Sequence, residues 1–597
     1  MPAPIAAAVP GFADCLPARR GNQRSKDAMT ITLQSLARRA LLIGIAGPLA
    51  ACGIGGGDSA GAGIVYAHTY ILGGSIQGLS GSGLVLANGN QTVAPAAGAT
   101  AFTFPKALVG GSSYAVQVTA SPSGLTCSVS HGSGTVGSAN ITSVVVTCSA
   151  QSATVGGTIS GLTAAGLVLS DGSSTVAPAA NASTFTFAQR IALGASYTVT
   201  VQAQPSGLFC TVASANGTAG PGSAASVAVT CRVEGTEIVL YPFANGPGDG
   251  GVPNAGLLQA SDGNFYGTTT YGGTNSYGTV FKITPSGVET VLYSFTGTGG
   301  DGAYPYGALI QASDGNFYGT TLTGGQYGPG TVFKITPGGT EAVVYSFGVT
   351  GTDGGNPSGG VIQGRDGYLY GTTGGGGTSG SGTVFRVSLD GSTYSVVWPF
   401  VGGNTDGASP VGSLLQTSDG TLYGTTQGGG VNGLGAVFKI ATPATTPAES
   451  VLYFFNTGSD GNTPKEGLIL GRDGLLYGTT RYGGTGGVGT IFSISTTGTY
   501  ASLYSFGAAQ DGTVPAGNLF LASDGNFYGA TYTGGTSNNG TVFKFTPGGA
   551  ETVIYSFANG TDAANPICGV IQGSDGFLYG TTQNGGVGNG AIFRVVP

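Results

Sequence analysis

The chain is 597 residues long, too many for one hydrophobic core, so two or more domains are expected. Only 8% of residues are charged and the formal net charge is −7, with no basic run after the leader, which argues against nucleic-acid binding through phosphate neutralisation. Glycine is abundant (116) but has no three-residue period, excluding a collagen helix, while 40% hydrophobic residues with 27 Tyr and 27 Phe exclude a disordered chain.

The first segment reads as a processing signal. Arg38 and Arg39 precede an apolar run, Ala40 to Pro48, too short and too broken by Gly and Pro to span a bilayer. Leu49-Ala50-Ala51-Cys52-Gly53 follows and looks like the bacterial lipoprotein signal. That resemblance implies cleavage before Cys52, acylation of its new N-terminus and attachment to a membrane of the envelope, the outer membrane or cell surface. Residues 1–28 are foreign to such a leader, and Met29 is the expected start. Residues 53–69, rich in Gly, Ser and Ala, read as a flexible tether.

Two copies of a small module come next, 70–150 and 151–233, in register at a period of 83. They open Gly73-Gly74-Ser75-Ile76 and Gly156-Gly157-Thr158-Ile159, and both carry alternating runs such as Tyr114–Val118 and Tyr197–Val201. Period-2 alternation between Gly, Pro and Ser marks half-buried strands, and several short strands in so few residues predict a small β-sandwich. Cys127 and Cys148 lie 21 apart, as do Cys210 and Cys231. An exported chain meets an oxidising compartment, so disulfides Cys127–Cys148 and Cys210–Cys231 are expected, each stabilising its module by ~3 kcal/mol. The modules look like the Ig-like spacer domains of bacterial surface proteins.

A sharper repeat fills 237–597. Its core is Ser/Arg-Asp-Gly-x-x-Tyr-Gly-Thr/Ala-Thr, with Tyr266, Tyr318, Tyr370, Tyr423, Tyr477, Tyr528 and Tyr579 spaced 51 to 54 residues apart. One unit contains four strand-like runs, 256–260, 265–269, 278–283 and 289–295, separated by turns. Four antiparallel strands per period predict the blade of a β-propeller. The region begins on a fourth-type strand and ends on a third-type strand, so 237–243 is expected beside 590–595, closing the ring. The expected fold is all-β: a seven-bladed β-propeller preceded by two small Ig-like β-sandwich domains. The elements LYSF, SDGNFYGTT and GTVFKITPGG closely resemble the GloVer tandem repeat of choice-of-anchor bacterial surface proteins. That resemblance covers the repeat region and implies no established reaction.

Repetition weighs against most candidate sites. The Asp-Gly series at Asp262, Asp314, Asp366, Asp419, Asp473, Asp524 and Asp575 reads as turn chemistry. A second series, Asp-x-x-x-Pro, places Asp249, Asp301, Asp353, Asp406, Asp460, Asp511 and Asp562 between outer and inner strands. It reads as loop geometry or, if the carboxylates gather near the axis, as a cation site such as calcium; no other cofactor is expected. The long loops exit on one face, where residues differ between repeats: Tyr271, Tyr277, Tyr304, Tyr306, Tyr327, Lys465, Glu466, Arg481, Tyr482 and Tyr532. Exposed Tyr with Lys and Arg suits a glycan or a protein partner. Both histidines, His68 and His131, lie outside the repeats, so no His base serves a catalytic triad there. The expectation is therefore a monomeric, lipid-anchored binding protein. An extracellular polysaccharide-acting enzyme using Asp or Glu and a purely structural envelope protein are the alternatives.

Overall fold

The computed structural model describes residues 67–220, 227–441, 448–456, 458–558 and 560–597. Met29, Cys52, the leader and most of the tether lie outside the described residues. The regular elements are all β-strands. No helix among the described residues is long and apolar enough to cross a membrane.

In the first module Leu72–Gln77 lies between Ala101–Thr103 and Ile141–Ala150, with Leu125–Ser130 at the edge. A second sheet, ordered Gln91–Val93, Val85–Asn88, Ser113–Ala120, Ser133–Thr135, packs on it through Leu72, Leu86, Phe102, Phe104, Val116 and Val146. The second module repeats the first sheet with Thr184–Ala192, Ser152–Ser160, Val227–Val233 and Leu208–Ala213. The Gly-Gly openings now have a reason. Leu72–Gln77 runs parallel to one neighbour and antiparallel to the other. A side chain on Gly73 would strike the Phe102 carbonyl and one on Gly74 the Val144 carbonyl; Gly156 and Gly157 meet Phe185 and Val227 in the same way. Both expected disulfides, Cys127–Cys148 and Cys210–Cys231, are present and join directly opposed residues of adjacent strands.

From Glu237 onward, seven antiparallel sheets of four or five strands follow in chain order, with a two-stranded ladder of Gly250–Gly251 and Tyr271–Gly272 beside the first. Sheet one contains Leu258–Gln259, Phe265–Thr269, Thr279–Ile283 and Glu289–Ser294. Sheet seven takes Glu237–Pro242 as its outer strand, antiparallel to Ala591–Val595. Each sheet packs face-on against the next. Val280 and Phe295 of sheet one meet Phe317 and Phe333 of sheet two. Phe265 and Phe281 of sheet one also meet Phe577, Tyr579 and Ile592 of sheet seven, so the sheets close into a ring. The repeat signature is built for this packing. Tyr266 donates its hydroxyl to Asp262 Oδ2 at 2.9 Å while its ring stacks on Phe317 of the next sheet at 4.1 Å. Gly267 leaves room for the Phe281 ring, which a side chain there would strike.

The expected first strand, 256–260, is corrected. Only Leu258–Gln259 pair with the second strand. In sheet two the pairing breaks after Pro305 and resumes at Ile310–Gln311. Proline has no N–H to donate to the ladder, and Tyr304 before it adopts a φ of 57°. The chain between these two paired stretches bulges out of the sheet; in sheet six both belong to Gly512–Leu521, whose register breaks between Ala516 and Phe520. The ring also carries the second module: Phe209 packs on Phe577 at 6.3 Å, and Arg232 and Arg594 lie 5.6 and 5.0 Å from the Phe577 ring centre.

Candidate functional site

The bulges converge on a cavity of 310 Å³ lined by all seven sheets. The residue after each proline differs from sheet to sheet: Asn254, Tyr306, Ser358, Val411, Lys465 and Ile567 line the cavity. The following position is Gly307, Gly359, Gly412 and Gly517 in four sheets, but Glu466 in the fifth and Cys568 in the seventh. The ring itself therefore needs only a small residue there.

The first threonine of the Gly-Thr-Thr signature holds four of these bulges in place. Thr320 donates to the Gly359 carbonyl at 3.0 Å, Thr372 to Gly412 at 3.1 Å, Thr425 to Glu466 at 2.7 Å and Thr581 to Ala255 at 3.1 Å. Each bond runs from one sheet to the bulge of the next. The second threonine instead pairs across its own sheet, as Thr321 does with Thr331 at 2.8 Å. A motif repeated for folding thus fixes the backbone from which the variable side chains project.

Lys465 Nζ lies 5.6 Å from the centre of the Tyr306 ring. The two residues belong to sheets five and two, so this cation–π contact spans the cavity. Burial drives the Glu466 carboxyl above its usual range, against the pull of Lys465, the Gly517 N–H and Arg481. The Cys568 thiol donates to the Asn254 carbonyl at 2.8 Å, and burial pushes its ionisation up, which keeps it a thiol and not a nucleophile.

The other candidate residues sit elsewhere. Tyr304 packs edge-on between Tyr271 at 5.7 Å and Tyr277 at 5.5 Å, forming an aromatic patch at the loops of sheets one and two. Arg481 contacts Tyr482 through Nε to the hydroxyl at 3.2 Å. Tyr532 donates to Gln583 at 2.7 Å. Tyr327 stands half-exposed. Of the ten residues, only Tyr306, Lys465 and Glu466 meet at the cavity. Asn254, Ser358 and Cys568 join them there; the first two were missed, whereas Cys568 reads from the sequence as a buried small residue near an inner strand and not a nucleophile. Aligning the repeats on the proline and reading the next two positions would have found them.

The Asp-x-x-x-Pro carboxylates do not gather at the axis. Asp301 accepts from the Tyr293 hydroxyl at 3.0 Å, the Thr296 amide at 2.7 Å and the Gly302 amide at 2.7 Å. Asp353, Asp460, Asp511 and Asp562 likewise accept from Tyr345, Tyr453, Tyr504 and Tyr555 on the preceding outer strand. They staple the outer seams between sheets. Among the described residues no three His, Cys, Asp or Glu side chains are grouped to hold a metal. Each seam also receives a residue from the next outer strand. At five it is Glu237, Glu289, Glu341, Glu449 or Glu551, each with a buried, unpartnered Oε1. Burial first, then the adjacent Asp, raises their pKa to about 7, and to about 8 for Glu237. At the other two, Tyr394 stacks on Tyr345 at 3.8 Å and Tyr500 on Tyr453 at 4.1 Å.

No curated protein sequence matches the chain. Among solved structures it is similar to an oligogalacturonate lyase from Vibrio parahaemolyticus (12% identity, 60% of this chain and 93% of that one, TM-score 0.40). It is also similar to TolB from Acinetobacter baumannii (14%, 49% and 61%, 0.30). A third likeness is to the extracellular domain assigned to a hybrid two-component system of B. thetaiotaomicron (12%, 64% and 43%, 0.38), less than half of which is spanned. Likenesses this distant carry nothing about chemistry. The model of the Gloeobacter/Verrucomicrobia repeat matches residues 148–363, 347–522 and 509–597, which together take in all seven sheets. The chain belongs to the Gloeobacter/Verrucomicrobia repeat family.

Proposed function

We propose that the chain is an exported lipoprotein, acylated at Cys52 and held at the bacterial outer membrane or cell surface. Two Ig-like spacer domains, 70–150 and 151–233, carry a seven-bladed β-propeller, 237–597, whose axial cavity binds a glycan or a protein. The two disulfides support export. The observation that carries the binding reading is the break in the repeat at the cavity. Tyr306, Lys465 and Glu466 stand where the ring asks for nothing specific, on backbone that neighbouring sheets hold, through Thr270 at the Pro305 carbonyl and Thr425 at the Glu466 carbonyl. A rigid scaffold with variable side chains at a concave mouth is how binding sites are built.

Glycan arrays and pull-downs from envelope extract test this. Tyr306→Ala and Lys465→Ala are expected to abolish ligand retention, and Tyr271→Ala to leave it intact. Equal retention by all three variants removes the site from the axis. Polysaccharide turnover lost in Glu466→Gln makes the protein an enzyme instead. Incorporation of labelled palmitate, lost in Cys52→Ser, tests the anchor.

A further inference from the structure

The unsatisfied polar atoms of the axial cavity indicate what kind of ligand it takes; this step rests on the binding reading above. Asn254 lines the cavity and is only 8% exposed. Its Nδ2 donates to Thr270 Oγ1 at 2.8 Å, and the Thr270 hydroxyl in turn donates to the Pro305 carbonyl at 3.3 Å. Because the Thr270 proton is committed to Pro305, Thr270 can only accept from Asn254. The amide orientation is thereby fixed, with Oδ1 turned away from Thr270. That Oδ1 has no partner, and neither has Ser358 Oγ, which lines the cavity from sheet three. A buried carbonyl oxygen left without a donor is costly, so this position favours a donor from outside the chain, a water or the hydroxyl of a ligand that displaces it.

The charges narrow the choice. Lys465 is the single cation and Glu466 the single carboxyl among the lining residues. An anionic ligand would satisfy Lys465 but set its oxygens against Asn254 Oδ1. An ammonium would satisfy Asn254 Oδ1 and face Lys465. Hydroxyl groups both donate and accept, so several on one ligand answer all four side chains. The Tyr306 ring supplies an apolar face, now covered by the Lys465 ammonium. The volume of 310 Å³ lies at the small end of the ~300–1,000 Å³ typical of small-molecule sites.

We propose that the axial cavity binds a neutral polyhydroxylated ligand, one sugar unit either free or at the end of a glycan. One ligand hydroxyl donates to Asn254 Oδ1 and another engages Ser358 Oγ. Lys465 swings off Tyr306 to bond a third, and the sugar ring takes its place over the aromatic face.

The test titrates the purified full chain with glucose, galactose, mannose and N-acetylglucosamine as neutral probes, glucuronate as the anionic probe and glucosamine as the cationic one. Calorimetry and saturation-transfer NMR report binding. At least one neutral sugar is expected to bind with a Kd of about 1 mM or tighter, weakened about tenfold by Asn254→Ala and by the Ser358→Ala, Lys465→Met pair. Tyr271→Ala is expected to change nothing. Free sugar binding that does not improve with chain length points to a soluble ligand; tighter binding to immobilised oligosaccharide ends points to a glycan. Glucuronate or glucosamine binding about tenfold tighter than every neutral sugar overturns the proposal. So does neutral-sugar affinity unchanged in the Ser358→Ala, Lys465→Met pair, whose melting temperature shows whether it is folded. If no neutral sugar binds but Tyr306-dependent capture of another ligand persists, the sugar assignment fails and the binding reading stands. If both fail, the binding reading falls with it.

Discussion

The outer seams and the axial bulges of the same ring obey opposite rules. At the seams an Asp recurs in all seven sheets, tied to loop amides or an outer-strand tyrosine, with Glu or Tyr opposite it. At the axis no two sheets present the same residue after the proline. What recurs serves the closure of the ring, and what departs from the repeat is free to serve a ligand. The most visible motif of the sequence therefore points away from the site, although its first threonine fixes the backbone on which the site is built.

Four experiments break or sharpen that contrast. Asp301→Ala strips a seam of an acceptor for Tyr293, Thr296 and Gly302, and is expected to lower stability by about 3 kcal/mol, read by denaturant unfolding. A loss no larger than that of an ordinary surface change would mean the seams do not hold the ring. Next in size is a pH effect. The five seam glutamates have folded pKa values of about 7 to 8, above the 4.5 of a free Glu. Their burial is tolerated in the protonated form, so this stability is fully present below pH ~4.5 and is lost as pH rises through 7 to 8. The melting temperature is expected to fall by several degrees between pH 6 and 9, and Glu→Gln at 289, 341 and 551 together should flatten the profile. An unchanged slope in that triple variant would assign the pH effect elsewhere. Phe209→Ala removes the second module's ring from Phe577. It should expose the linker at Glu234 to Thr236 to limited proteolysis while the ring's own melting barely shifts. The smallest effect on stability belongs to the axis: Lys465→Met is expected to stay within about 0.5 kcal/mol of the parent by denaturant unfolding, although ligand binding drops.

Much of the frame was legible beforehand. The spacing of Tyr266 through Tyr579 marked out the seven sheets, and the phase of the repeat named the strands that close them, now seen as Glu237–Pro242 against Ala591–Val595. The paired cysteines were readable because spacing and compartment agreed. The inner strand was misjudged because an apolar run such as 256–260 has the composition of a strand, whereas its pairing is decided by a proline three residues upstream. The Asp-x-x-x-Pro carboxylates were open to an axial placement for a related reason. Their position between outer and inner strands is visible in one dimension, but which end of that connection the side chain caps is not. Tyr306, Lys465 and Glu466, which line the cavity, stand out in the sequence because they differ from their repeats in size or charge. Asn254 and Ser358 were passed over because small polar residues in a Gly-rich loop look like any others.

The strand that completes sheet seven is the first of the region to leave the ribosome or the export channel, and its partner is the last. Gly235 and Val596 are bonded at 2.9 Å, so the two extremes of the region are stitched together. Until the final repeat arrives, Glu237–Pro242 must wait with its edge unpaired, and the entropy of closing so long a loop opposes the union. The second module sits immediately before that waiting strand and rests on Phe577, beside the place where it must dock. Phe577 belongs to that last repeat, so its contact with the second module forms only as the ring closes, and it ties the domain cross-linked by Cys210–Cys231 to both ends of the closing sheet.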